Sequence, residues 1–326
     1  MRAALVRAFG PIEQMEIAEV PPPAITRGAV RIAVHAIGIN FADILIVEGK
    51  YQEKPPLPFS PGFEIAGVVS ELGPGVSGIA LGTRVIGLLE HGAYAEEAVV
   101  NADQVVPMPE DMDFPTAAGF PVAYGTSHIA LDARARLKAG ETLLVLGAAG
   151  GVGLTAVEIG KALGATVIAA AGGAEKLRIA QAHGADHLID YRSEDLRQRL
   201  KAITGGRGPD VIYDPVGGEL FEQSLRGIAW EGRLVVIGFA SGRIPQVPAS
   251  LALVKNCDII GVYWGSYRGR RPDQVRRSFA TLLGWYSAGK LHPHVSHRLD
   301  LADAARAMAL LVERKATGKV ILTTKR

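Results

Sequence analysis

The apolar run Glu141–Leu146 enters the turn Gly147-Ala148-Ala149-Gly150-Gly151-Val152-Gly153, and beyond it Val152, Ala156, Ile159 and Leu163 fall at helical spacing. A strand that feeds a helix through so glycine-rich a turn leaves few folds open. Glycines there permit a tight turn and the close approach of a pyrophosphate, whose charge rests at the free N–H groups of a helix N-terminus. The plainer alternative is a strand-to-helix turn that binds nothing. The pattern of the chain beyond the turn decides between them.

Apolar runs at Thr142–Leu146, Thr166–Ala170, His187–Ile189, Val211–Tyr213, Leu234–Ile237 and Ile259–Tyr263 are mostly separated by helix-length segments. Six strands joined by helices predict an α/β fold, a doubly wound parallel six-stranded sheet. Proline marks where this regime begins: 13 of 19 lie in residues 1–121, none between 122 and 208, and six follow. The first part carries short β-type segments, Arg2–Arg7, Ala29–Ala36, Glu64–Ser70 and Thr83–Leu88, punctuated by Pro21-Pro22-Pro23 and Gly73-Pro74-Gly75. That pattern predicts a barrel-like or folded sheet. After Gly265 come a helix over Pro272–Ala288, a polar strand-like piece and a helix–strand pair ending at Lys319–Thr323. This tail is too short to fold alone and is expected to pack back onto the first unit. The boundaries read are 1–122, 123–264 and 265–326.

Composition narrows the function. Lys+Arg 35 against Asp+Glu 33, a net charge of +2 and 48% hydrophobic residues exclude a disordered chain and offer no dedicated nucleic-acid surface. The sole cysteine, Cys257, excludes a disulfide framework and a multi-cysteine zinc module, and reads as a small buried residue rather than a nucleophile. The longest charge-free run, Phe114–Leu131, contains Pro115, Pro121, Thr126, Ser127 and His128 and reads as a loop entering a helix, not a membrane span. Met1–Val6 shows no signal-peptide pattern, so a cytoplasmic protein is expected. The segment His292-Pro293-His294-Val295-Ser296-His297 has no acid or thiolate beside its histidines, and no metal is expected there.

The second strand discriminates between nicotinamide cofactors. One lacking the 2′-phosphate is usually held by an acid about 20 residues after the glycines. Here strand 2 ends Ala169-Ala170-Ala171-Gly172-Gly173 with no acid at its tip, followed by Ala174-Glu175-Lys176. Small residues leave room for a phosphate, which Lys176 and Tyr191, with Arg192 as a further candidate, would bind by charge-assisted hydrogen bonds. Glu175 on the ribose is the competing reading. NADPH is the expected cofactor.

The stretch Gly140 to Gly153, running on to Lys161, resembles the signature of the zinc-free, ζ-crystallin-like quinone oxidoreductases, a branch of the medium-chain dehydrogenase/reductases. Glu158 departs from it, since the signature usually has Gln. Asn40-Phe41-Ala42-Asp43 with Gly49-Lys50-Tyr51, Ala185-Asp186-His187 with Asp190-Tyr191-Arg192, Asp214-Pro215-Val216-Gly217-Gly218 and the closing Gly318-Lys319-Val320 are also similar to the family, so the likeness spans nearly the whole chain. It implies a GroES-like β-rich domain around an inserted Rossmann domain. It also implies that Asn40, Asp43 and Tyr51 face the nicotinamide end as the catalytic set, with Asn40 also a cofactor contact. Gly150, Gly151, Val152, Gly153, Gly172, Gly173, Lys176 and Tyr191 would hold phosphates and adenosine. Phe239, Ser241, Tyr263 and Trp264 would lie near nicotinamide and substrate, and Lys319 would join the cofactor set.

Zinc-dependent relatives carry Cys near position 40 and His-Glu near 63–64, where this chain has Asn40 and Phe63-Glu64, so catalytic zinc is not expected. Without that Lewis acid, a quinone or an alkene conjugated to a carbonyl is the natural hydride acceptor. Tyr51 is the candidate for orienting substrate oxygen or relaying a proton, or else only packs against cofactor; Asn40 and Asp43 read as a hydrogen-bonded scaffold. Arg268, Arg270, Arg271, Arg276 and Arg277 form a solvated face or bind an anionic substrate portion such as a coenzyme A phosphate, which would make the enzyme an enoyl-thioester reductase. A non-catalytic, NADPH-binding crystallin or RNA-contacting role is the remaining alternative. The apolar segment Asp258–Trp264 is expected at the sheet edge and predicts a homodimer.

Overall fold

The computed structural model describes residues 1–325. The chain forms two compact units, one from Met1–Val122 together with the chain from Pro293 on, the other from Ala123–His292.

The second unit is built on six parallel strands, Thr142–Leu146, Thr166–Ala171, His187–Asp190, Val211–Asp214, Arg233–Val236 and Asp258–Gly261. Numbered along the chain, their order across the sheet is 3-2-1-4-5-6. Helices cover both faces of such a sheet, so its central strands are continuously apolar rather than alternating. Leu143, Leu144, Val145 and Leu146 are accordingly all without exposed surface. Strand order reverses between Thr142–Leu146 and Val211–Asp214, and a doubly wound sheet opens its ligand crevice at the carboxyl ends of those two strands.

The sequence boundary at 264 falls short. Helix Pro272–Ser287 belongs to the second unit because its apolar face is buried there: Phe279 meets Trp264 edge-on at 6.3 Å, and Trp285 meets His128 at 5.4 Å. Ser278 Oγ lies 2.9 Å from His128 Nδ1. The last strand stops at Gly261 rather than Tyr263, as Tyr263 and Trp264 turn into helix Gly265–Arg270.

In the first unit, sheet order runs Val295–Asp300, Lys319–Thr323, Ala29–Ile39, Glu64–Leu72, Arg84–Leu88, Val105–Pro107, with Glu97–Asn101 also on Ala29–Ile39. Arg2–Leu5 and Glu16–Glu19 form a separate antiparallel pair, the first ending before Arg7. Ala29–Ile39 outlasts the predicted Ala29–Ala36 because Ile37, Gly38 and Ile39 pair with Leu322, Ile321 and Val320 of the returning tail. Its register shifts against Glu64–Leu72 at Arg31/Ile32 and Val34/Ala36, irregularities of the kind that bend a strand and fold the sheet. No helix among the described residues is long and apolar enough to cross a membrane.

Candidate active site

In the second unit the glycine turn does steric work. Gly150 N–H closes the turn onto Gly147 O at 2.9 Å, and Gly150 starts helix Gly151–Ala162 without any side-chain cap. The N–H groups of a helix's first turn have no preceding turn to bond, so those of Gly151, Val152 and Gly153 are presented at the strand end. A Cβ at Gly153 would run into Gly147 O and lie 3.0 Å from Ala148 Cα, so only glycine lets the helix sit this close to the strand. Beneath the turn, Ser127 Oγ joins Val152 O at 3.0 Å and the hydroxyls of Thr155 and Tyr213, each at 2.8 Å.

At the end of the second strand Gly173 takes φ +100°, open to glycine. Asp190 Oδ1 accepts from Gly173 N–H and Arg192 N–H, each at 3.0 Å. A Cβ on Gly172 would lie 2.7 Å from Arg192 Nε and 3.2 Å from the Tyr191 ring. The structure therefore brings Tyr191 and Arg192 over the Gly172-Gly173 turn, with Lys176 in the first turn of helix Ala174–Ala182. The strand itself ends without an acid, while Glu175 lies in the first turn of the helix that follows. Asp190 is consumed by two backbone N–H groups, which, with Arg192 N–H first, hold its carboxyl below the usual range.

Beside the switch point, the buried Asp214 accepts Val216 N–H at 2.7 Å and Gly217 N–H at 2.9 Å through Oδ1, while Oδ2 has no partner. Burial pushes its pKa up. Phe239 and Ser241 pack on Gly217 and Gly218: Cβ atoms there would stand 2.9 Å from Phe239 Cδ1 and from Ser241 Oγ. The Trp264 indole is buried over Gly125 and edge-on to Phe279, and its Nε1 has no hydrogen-bond partner. The Tyr263 ring folds over Gly265.

In the first unit, Asn40 links strand Ala29–Ile39 to helix Phe41–Val47. Asn40 N–H donates to Asp43 Oδ2 at 2.7 Å, the reach-back contact of a helix start. Tyr94 Oη donates to the same oxygen at 2.9 Å. Asp43 is fully buried and its Oδ1 is unpartnered. Burial pushes its pKa up to about 7, with Glu64 adding to the rise and with Asn40, Tyr94 and Lys319 opposing it. Asn40 Nδ2 donates to Glu64 Oε1 at 2.8 Å, and Val122 N–H to Glu64 Oε2 at 2.8 Å. Lys319 Nζ donates to Ile39 O at 2.7 Å, Asn40 Oδ1 at 2.7 Å and Glu64 Oε1 at 2.8 Å. An ammonium has three donors, and all three are used within the first unit. Asn40 and Asp43 form the buried scaffold, while Tyr51 is half-buried with its ring 6.0 Å from Phe63. Glu64 and Tyr94 are the main additions that the structure makes.

Residues 151–284 match the zinc-binding dehydrogenase family model and residues 26–110 the alcohol dehydrogenase GroES-like domain. The chain is 42% identical over 314 residues to quinone oxidoreductase-like protein 2 of Rattus norvegicus, covering 96% of this chain and 90% of that one. It is 35% identical to a quinone oxidoreductase of Pseudomonas aeruginosa, covering 97% of each. The solved structure of Escherichia coli quinone oxidoreductase complexed with NADPH superposes with a TM-score of 0.93 at 32% identity, covering 99% of this chain and all 100% of that one. The zinc in the first family's description finds no fitting donor set here. Position 63 is Phe, the Asn40 carboxamide and the Glu64 carboxylate are held by an ammonium, and among the described residues no group of three or more His, Cys, Asp or Glu is arranged to hold a metal.

Proposed function

The chain belongs to the zinc-free quinone oxidoreductase branch of the medium-chain dehydrogenase/reductase superfamily, and on that premise we propose that it is a zinc-independent NADPH-dependent reductase of quinones or α,β-unsaturated carbonyls. The observation that carries the cofactor choice is the acid-free end of strand Thr166–Ala171, where Tyr191 and Arg192 lie over Gly172. The NADPH-complexed relative supports the same reading.

Bound NADPH supplies a hydride from C4 of its nicotinamide. The chain's part is to bind and orient. The N–H groups of Gly151, Val152 and Gly153 hold the pyrophosphate against the helix start. Lys176, Tyr191 and Arg192 hold the 2′-phosphate by charge-assisted hydrogen bonds. Phe239, Ser241 and the main chain at Tyr263 and Trp264 flank the nicotinamide end. Asn40, set by its buried partners, and Tyr51 face the acceptor, with the Tyr51 hydroxyl orienting its oxygen or relaying the proton that accompanies hydride. With NADPH and NADH compared across quinones and enones, kcat/KM favours NADPH, and Lys176→Ala or Arg192→Ala erodes that preference. Equal use of the two cofactors by the wild type would refute the 2′-phosphate assignment.

A second reading rests on the arginines after the last strand, of which Arg270, Arg271, Arg276 and Arg277 are exposed, Arg276 pairing with Asp273. An anionic substrate portion such as a coenzyme A phosphate would suit them, and turnover of crotonyl-CoA beside a simple quinone separates the two substrates. A homodimer through the edge strand Asp258–Gly261 is also part of the proposal. It is supported by that strand's single neighbour and by Leu253 and Val254, which are 76% and 73% exposed just before it.

A further inference from the structure

Lysine is almost never buried unless paired, and Lys319 is 6% exposed. Its site is built around it. Glu64, which it meets at 2.8 Å, is fully buried, and two glycines clear the space. A Cβ at Gly38 would collide with the Glu64 carboxylate and Ala118 O; one at Gly119 would press on Lys319 Cβ and Cγ at 3.2 Å.

The cluster determines one thing beyond charge balance. A carboxamide can flip, exchanging its acceptor oxygen for its donor nitrogen. Here the flip is forbidden from both sides, since an ammonium only donates and an ionised carboxylate only accepts. Lys319 therefore takes Asn40 Oδ1 at 2.7 Å, and Glu64 takes Asn40 Nδ2 at 2.8 Å. What Asn40 can offer a ligand is then one N–H of Nδ2 in a fixed direction, since Oδ1 faces Lys319 and the Asp43 backbone N–H of the helix start. We propose that Lys319 is a positioning residue for the reduction: with Glu64 it locks the Asn40 carboxamide in one orientation, and turnover of the acceptor depends on that lock. This rests on the reading of Asn40 as facing the nicotinamide end.

The test uses the full chain as wild type, Lys319→Met and Lys319→Met/Glu64→Gln. Methionine keeps the stem without the charge, and glutamine removes the charge that methionine leaves uncompensated. Glutamine both donates and accepts, so in the double variant the packing is neutral but the carboxamide direction is no longer dictated. Lys319→Met is expected to lower both melting temperature and turnover. The double variant is expected to regain most of the melting temperature while kcat/KM for a quinone stays at least ~10-fold below wild type and the NADPH Kd, read by protein fluorescence, stays within about 2-fold. Recovery of turnover along with melting temperature would mean that Lys319 only neutralises Glu64, and would overturn the proposal, as would wild-type turnover in Lys319→Met. If Lys319→Met does not fold, the double variant alone carries the decision. The Asn40 side-chain amide in ¹⁵N spectra gives a readout independent of activity: one exchange-protected Nδ2 proton in the wild type, its protection lost in the double variant. Unchanged protection in the double variant refutes the lock, whereas a wild type that reduces no acceptor but shows the protected proton refutes only the assigned function.

Discussion

Asp43→Asn is expected to stabilise the protein at neutral and alkaline pH and to leave it unchanged in acid. The amide is nearly isosteric. Its oxygen can keep the bonds that Asp43 Oδ2 receives from Asn40 N–H at 2.7 Å and Tyr94 Oη at 2.9 Å, while its nitrogen takes the place of the unpartnered Oδ1. Burial raises the carboxyl from 3.8 to about 7 in the folded protein, against Tyr94, Lys319 and Asn40 and with Glu64. The sign comes from proton linkage: between those two values the folded state holds a proton that the unfolded state has released, so unfolding stability falls as pH rises. The contribution is fully present below about pH 4 and is lost on passing about pH 7. At about 1.36 kcal/mol per pH unit over roughly three units, the loss is about 4 kcal/mol, or roughly 10 °C in melting temperature for a unit of this size. Thermal unfolding of wild type and Asp43→Asn from pH 4 to pH 9, read as the difference between them, isolates this group from every other titration. Parallel curves, or a wild type that gains on the variant as pH rises, would refute a buried carboxyl with a raised pKa.

Gly153→Ala is expected to force the helix start off Gly147 and Ala148 at an overpacking cost of about 1–3 kcal/mol, weakening NADPH binding by roughly 5–150-fold in a fluorescence titration. Glu158→Gln supplies the residue usual in the resembling signature, yet here Glu158 meets the Tyr124 hydroxyl at 2.5 Å, His183 Nδ1 at 2.6 Å and His292 N–H at 3.1 Å. Loss of charge-assisted bonds from a buried site should cost about 1.5–3 kcal/mol in thermal unfolding, and an unchanged melting temperature would count against the network. If the proposed edge-strand dimer forms, sedimentation velocity should show a dimer for the wild type and a monomer for Ile259→Lys at the same concentration; a wild-type monomer would refute the dimer. Tyr51→Phe should lower kcat with several acceptors; full retention would leave that ring a packing role alone.

The glycine turn and the six strands were legible because each is a local pattern: a run of apolar residues, a punctuating glycine, a helical period. The Gly172-Gly173 turn at the end of the second strand was legible for the same reason, since it adjoins the strand in sequence. The scaffold of the first unit was not, because Lys319 and Glu64 meet across 255 residues and Tyr94 reaches Asp43 across 51. Lys319 was placed with the cofactor by resemblance, and no spacing rule reveals that its three donors are spent. The packing of Trp264 was hidden in the same way: its position near a strand end was readable, but its contact with Gly125 depends on a residue more than a hundred positions earlier. The boundary at 264 failed because helix Pro272–Ser287 is amphipathic and its pattern does not say which unit receives its apolar face.

The strand Lys319–Thr323 lies between Val295–Asp300 and Ala29–Ile39, inside the first unit's sheet rather than at its margin. During synthesis those residues leave the ribosome after all of the second unit, which is contiguous in sequence and can close as soon as it emerges. Until then the Ala36–Ile39 stretch of Ala29–Ile39 lacks that neighbour, although Glu97–Asn101 already covers Ala29–Ala33, and Glu64 is without its lysine. Translation order thus lets the contiguous second unit close first, while the first unit's sheet is completed only by a strand made after it.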